Sequence, residues 1–97
     1  MAYDLPEDLL KETFLASTGP GGQNVNKVAT ACQLRVDVFA LGLQPYAFRQ
    51  LKILAGSKMT MNGELIVTAR SHRNREANRA DARARVIELI DRAHIRQ

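Results

Sequence analysis

The chain has 97 residues, 45% of them hydrophobic and 25% charged, with 14 Lys and Arg against 10 Asp and Glu and a formal net charge of +4. That length supports one modest core and no second, and no apolar run reaches the roughly 20 residues needed to cross a bilayer. One cysteine, Cys32, and two histidines, His72 and His94, exclude an internal disulfide and leave too few soft ligands for a structural zinc site, so no metal is expected and a reducing compartment fits.

The charge is unevenly spread. Residues 1–12 hold Asp4, Glu7, Asp8 and Glu12 against Lys11, which is neither the basic start of a secretory signal nor an acid-poor transit sequence, so no export is expected. Residues 70–97 hold eight arginines against four acids. Arginine clustered in one element is the electrostatic footprint of a nucleic-acid partner, although a solvated helix face produces the same composition.

In chain order, "LKETFLAS" at Leu10 to Ser17 reads as a first strand, ended by the glycine-rich stretch that follows. "ACQLRVDV", Ala31 to Val38, alternates strictly, with Cys32, Leu34, Val36 and Val38 on one face and Gln33, Arg35 and Asp37 on the other, which predicts a half-buried second strand with Cys32 in the core. From Pro45, "PYAFRQLKILA" sets Phe48, Leu51 and Leu54 at helical spacing before Gly56 stops the helix. Asn62-Gly63 is a two-residue hairpin signal ahead of a third strand through Ile66, Val67 and Thr68.

The last helix is expected from about Asn74, an N-cap, to Ala93, with Glu76 in the first turn where the helix dipole favours an acid. Val86, Ile87, Ile90 and Ala93 form its core-facing stripe, and the same stripe carried back toward the N-terminus meets Arg75, Arg79 and Arg83. This predicts a helix that docks by its C-terminal half and lays its arginine stems over the sheet edge. Within the helix Asp81 can pair with Arg85, Glu88 with Arg92 and Glu76 with Arg79, whereas Arg73, Arg75 and Arg83 find no helical acid and are expected to serve an outside partner. The order strand, strand, helix, strand, helix predicts an α+β fold, a small mixed sheet covered by helices, as one domain over residues 1–97.

Between the first two strands lies "TGPGGQNVNK", Thr18 to Lys27. A bare Gly-Gly-Gln is weak, expected by chance on the order of once in several thousand residues, but the longer word with Gly19, Pro20, Asn24, Asn26 and Lys27 is specific. With Ser17 and Thr18 in front, it resembles the catalytic loop of class I peptide-chain release factors, and the chain is similar to their small single-domain relatives, the ribosome-rescue peptidyl-tRNA hydrolases of bacteria and mitochondria. The asparagine-glycine turn before "ELIVTARS" and the helix opening "NREANRA" follow the same pattern, so the resemblance covers nearly the whole chain.

The resemblance implies that Gly21, Gly22 and Gln23 enter the peptidyl-transferase centre of the large ribosomal subunit and promote hydrolysis of the peptidyl-tRNA ester. It further implies the ribosome, through large-subunit rRNA, and peptidyl-tRNA as partners; no cofactor is expected, no membrane partner fits the hydropathy, and a monomer in the bacterial cytoplasm is expected ahead of one in the mitochondrial matrix. The residue chemistry is compatible. A carboxamide does not titrate near neutral pH, so Gln23 acts by placement rather than as a general base, while two glycines admit backbone conformations and close approaches closed to other residues. The Gln23 backbone N–H can donate to developing negative charge, and its side chain can orient water. Gly19 and Pro20 support the loop; Asn24 and Asn26 suit turn caps, and Lys27 suits a phosphate contact, though each has the opposite reading open. Arg73, Arg75 and Arg83 are the expected RNA contacts on the helix, and His72 sits at its entrance.

A KH-like RNA-binding module is the rival, with Gly19-Pro20-Gly21-Gly22 as its backbone clamp, but that clamp joins two helices, so the conformation of residues 10–17 discriminates. A P-loop fails because Lys27 precedes Val28 rather than Ser or Thr. Full release factors add codon-reading domains for which 97 residues leave no room, and the small relatives carry a basic tail beyond the last helix, where this sequence reads "AHIRQ".

Overall fold

The structure, a computed structural model, describes residues 4–16 and 29–95. A short 3-10 turn at Glu7–Leu9 leads into β1 (Leu10–Ala16); β2 (Ala29–Asp37), α1 (Val38–Leu41), α2 (Pro45–Ala55), a second 3-10 turn at Gly56–Lys58, β3 (Glu64–Ala69) and α3 (Arg75–Ala93) follow. The α+β class and the order of the main elements are as expected.

The sheet has the order β1-β2-β3 and is antiparallel at both pairings, so the expectation of a mixed sheet is corrected. The reason lies in the connection. Asp37, the last residue of β2, pairs with Glu64, the first of β3, so α1 and α2 leave and return at the same end of the sheet and the next strand must run back. A parallel strand would have needed a crossover to the far end.

Two local readings also shift. Val38 was expected to end the second strand; it is buried as expected but opens α1, because Asp37 turns from strand residue to N-cap, its Oδ1 accepting the Ala40 N–H at 3.3 Å. The Asn62-Gly63 turn is present, with Gly63 at φ +82° and its N–H donating to the Thr60 carbonyl at 3.1 Å, yet the strand it should return from is only the single bridge Met59 to Leu65, since residues 56–58 coil into a 3-10 turn. Asn74 caps α3 as expected, its Oδ1 accepting from the Glu76 and Ala77 N–H groups at 2.7 and 3.2 Å.

The core lies on one face of the sheet. Cys32, Leu34 and Val36 of β2 and Leu65, Val67 and Ala69 of β3 meet Leu51 and Ala55 of α2 and Ala82, Val86, Ile90 and Ala93 of α3, all buried. Ile87, expected in this stripe, is only half-buried. The stripe that faces the core runs Asn78, Ala82, Val86, Ile90, at a strict spacing of four, and so α3 docks along its whole length rather than by its C-terminal half. Small residues toward its N-terminus bring the helix close enough to the sheet for its arginines to reach the edge strand.

Candidate nucleic-acid interface

The end of the sheet where β1 stops and β2 starts is the end that carries the glycine word. Ala16 pairs with Ala29 across an irregularity between Leu15 and Ala16, so residues 17–28 connect two adjacent antiparallel strands. Gly19, Pro20, Gly21, Gly22, Gln23, Asn24, Asn26 and Lys27 lie outside the described residues. Their setting decides between the two readings of the loop all the same: β1 and β2 flank it as paired strands, whereas the KH clamp joins helices, so the KH alternative is set aside.

Next to this end, Ala69 of β3 pairs with Cys32, and the chain continues through residues 70–74 into α3. This turn is fastened by Asn78, the one fully buried polar side chain among the described residues. Its Nδ2 donates to the Thr30 carbonyl at 2.6 Å and to the His72 carbonyl at 2.9 Å, while its Oδ1 accepts the His72 N–H at 3.0 Å. One amide thus ties the start of β2, two residues beyond the glycine segment, to the turn that bears Arg73. Sequence reasoning missed Asn78. The available signal was its place four residues before Ala82 and eight before Val86, where an amide on an apolar stripe needs partners for three or four hydrogen bonds.

The arginines of α3 form a ladder along the edge strand. The Arg75 guanidinium stacks 4.0 Å from the centroid of Phe14; the Arg79 Nε donates to Glu12 Oε2 at 2.8 Å; Arg83 donates to the same Glu12 oxygen through Nε at 3.1 Å and to Glu7 through both terminal nitrogens. The spacing explains the first two contacts: four residues of helix rise about 6.0 Å and two residues of strand about 6.7 Å, so Arg75 meets Phe14 and Arg79 meets Glu12, while Arg83, one step further on, reaches back to Glu12 and forward to Glu7 in the 3-10 turn. The arginines therefore do lie over the sheet edge, as expected, but not for want of acids.

That corrects one premise. Arg83 has no acid on its own helix, yet its side chain is only 20% exposed and is held by two carboxylates from the N-terminal segment. Its proton is bound more firmly than usual, chiefly through the hydrogen bond to Glu7, and the same bond holds the Glu7 carboxyl below its ordinary value of 4.5. Arg79 is likewise raised by its hydrogen bond to Glu12. Two arginines and two glutamates here balance in charge. Arg73 faces no acid among the described residues, and Arg75 offers its donors around a stacked ring, so of the arginines along this edge the ones without a carboxylate partner are those at the turn into α3.

Of the expected helical pairs, Asp81 with Arg85 at 3.1 Å and Glu76 with Arg79 at 3.8 Å are formed. The Glu12 and Phe14 partners were legible only in part: the alternation of β1 puts Leu10, Glu12 and Phe14 on one face, and a carboxylate on a half-buried face asks for a cation.

Comparison with known proteins fits this geometry. Residues 1–97 match the RF-1 domain family. Over 86 residues, 89% of this chain and 63% of the relative, the sequence is 43% identical to peptidyl-tRNA hydrolase ArfB of Pseudomonas putida. Over 90 residues, 92% of this chain and 44% of the relative, it is 31% identical to large ribosomal subunit protein mL62 of Mus musculus. The chain therefore spans less than two thirds of the length of either relative.

Proposed function

The chain belongs to the RF-1 domain family, and from that membership we propose that it hydrolyses the peptidyl-tRNA ester in the peptidyl-transferase centre of the ribosome, without reading a codon. The observation that carries the reading is the word Gly21-Gly22-Gln23 in the segment that connects two paired antiparallel strands, the second of which is tied near its start, through Asn78, to the turn bearing Arg73. The 43% identity to a bacterial peptidyl-tRNA hydrolase supports the same substrate, and the reading takes the chain as one domain over residues 1–97, a monomer in the bacterial cytoplasm.

In this mechanism water attacks the ester carbonyl carbon, the bond to the tRNA 3′ oxygen breaks, and that oxygen leaves with a proton while the peptide departs as a carboxylic acid. The Gln23 backbone N–H donates to the negative charge that develops on the reacting oxygens, and its side chain orients the water. Gly21 and Gly22 keep Cβ atoms out of the approach to an RNA wall. Gly19 and Pro20 shape the loop, Asn24 and Asn26 cap it, and Lys27 takes a phosphate.

Ribosomes stalled on an mRNA without a stop codon provide the test. Release of labelled peptide is expected with the chain alone or with a basic extension added after Gln97. Failure of both, under conditions in which another peptidyl-tRNA hydrolase of this family releases peptide, overturns the reading.

The arginines divide differently from what helical spacing suggests. Arg73 and Arg75 are the phosphate contacts, and Arg83 is chiefly a structural cross-link to Glu7 and Glu12. Each lost phosphate contact should lower the slope of log affinity against log salt by about one unit. Ribosome binding by Arg73→Ala and Arg75→Ala is expected to lose that slope, whereas Arg83→Ala should keep it and melt a few degrees lower. Equal slopes for all three variants would contradict this division.

A further inference from the structure

Residues 38–63 contain no Asp or Glu, while Arg49, Lys52 and Lys58 give them three positive charges. This stretch gathers at the end of the sheet opposite the glycine segment, because Asp37 pairs with Glu64 there and Cys32 with Ala69 toward the other end. The five strand steps from Cys32 to Asp37 alone separate the two ends by roughly 17 Å.

A groove at this distal end is lined by Phe39, Phe48, Lys52, Met59 and Met61, among others. Phe39 is 61% exposed, yet its ring is fixed. It stacks on Phe48 with centroids 5.4 Å apart and 25° between the planes, and it sits so close to Gly63 that a Cβ there would collide with it. The Lys52 ammonium lies 5.9 Å from the centroid of Phe48. The acids that flank the stretch are both engaged, Asp37 in capping α1 and Glu64 with Arg35 at 3.8 Å.

A large apolar ring held rigidly at the surface, with the Lys52 ammonium lining the same groove, Lys58 one residue before Met59 of its lining and no carboxylate in the surrounding stretch, matches a ligand that is both flat and anionic. A nucleobase stacks on an aromatic face whatever its sequence, and the lysines meet the adjoining phosphates. A protein partner would find no acid here to pair with its cations. We infer that the groove is a second RNA-docking site, stacking an unpaired nucleobase on Phe39 and taking neighbouring phosphates on Lys52 and Lys58. The inference rests on the ribosomal reading for the source of the RNA and on the groove alone for the contact. The domain would then hold RNA at both ends of its sheet.

The test is a titration of the full chain with a single-stranded oligoadenylate hexanucleotide, followed by amide chemical shifts and by the anisotropy of labelled RNA. Shifts are expected within residues 38–63, and Phe39→Leu, which keeps apolar bulk against Phe48 but loses the π face, should weaken binding about tenfold. Phe39→Tyr should restore it, and an inorganic polyphosphate of matched charge should bind wild type and Phe39→Leu alike. Equal RNA binding by wild type and Phe39→Leu, or RNA-induced shifts that avoid residues 38–63, overturns the site; so does an equal loss of RNA and polyphosphate binding. Peptide release by the same variants separates the two readings. Release with Phe39-independent RNA binding overturns the groove alone, whereas Phe39-dependent binding without release by the wild-type chain supports the groove and overturns hydrolysis.

Discussion

Replacing Asn78 with leucine is expected to lower the unfolding free energy by about 2–4 kcal/mol, because leucine fills a similar volume but leaves the Thr30 carbonyl and both backbone groups of His72 without their partner. For a domain of this size that corresponds to a fall in melting temperature of roughly 10–25 °C. Asn78→Asp is the sharper variant. It keeps an acceptor for the His72 N–H but turns a carboxylate toward two carbonyl oxygens, so its folded-state pKa must rise above the ordinary value of about 3.9. A group raised in this way is least harmful below its unfolded pKa, and the penalty grows as pH climbs through the folded value. Urea unfolding at pH 4 and pH 7 should therefore show a deficit against wild type that is larger at pH 7. An equal deficit at both pH values would mean that the Asn78 amide does not face those carbonyls.

Gly22→Ala and Gln23→Pro are expected to reduce peptide release by about 10²- to 10³-fold, the range found when a donor to a developing oxyanion is lost or displaced. Proline removes the backbone N–H of position 23 and fixes its φ; alanine at position 22 narrows the backbone choice and adds a Cβ to the approach. Gln23→Ala retains the N–H and should cost release less, while allowing nucleophiles larger than water to compete. The core closes between β2, β3, α2 and α3, so the melts of Gly22→Ala and Gln23→Ala should nearly overlay that of wild type. Single-turnover release measured with water and with added hydroxylamine reads both effects. If Gln23→Pro releases peptide as fast as wild type, the proposed role of the backbone N–H is wrong.

Much of the fold was legible because its signals are local. The alternation of Cys32, Leu34 and Val36, the Pro45 start and Gly56 stop of α2, and the Asn74 cap of α3 each depend on residues a few positions apart, and each is found where the spacing placed it. Val38 shows the limit of such reasoning. Alternation continued through it, but capping by Asp37 competed with extension of the strand, and the cap won because the chain has to turn toward α2.

The candidate site was legible in a different way. Its glycine word is contiguous, so it could be read as a motif before any fold was known, and the family match to residues 1–97 agrees with the resemblance that this motif carries. The partners of its surroundings could not be read. Glu12 lies 67 residues from Arg79, Glu7 lies 76 from Arg83, and Asn78 lies 48 from Thr30.

By itself, then, the sequence determined the α+β class, the positions of the main elements, the basic C-terminal helix and the family to which the loop points, all from spacing, composition and one contiguous word. The tertiary structure alone decided which charges are spent. Packing of α3 along β1 and the 3-10 turn before it brings Glu12 and Glu7 against Arg79 and Arg83, so that part of the basic helix is neutralised from within, while Arg73 and Arg75 at its start keep no carboxylate partner among the described residues. It also decided the direction of β3 and the burial of Asn78, because both follow from where the chain returns to the sheet, which no local pattern encodes.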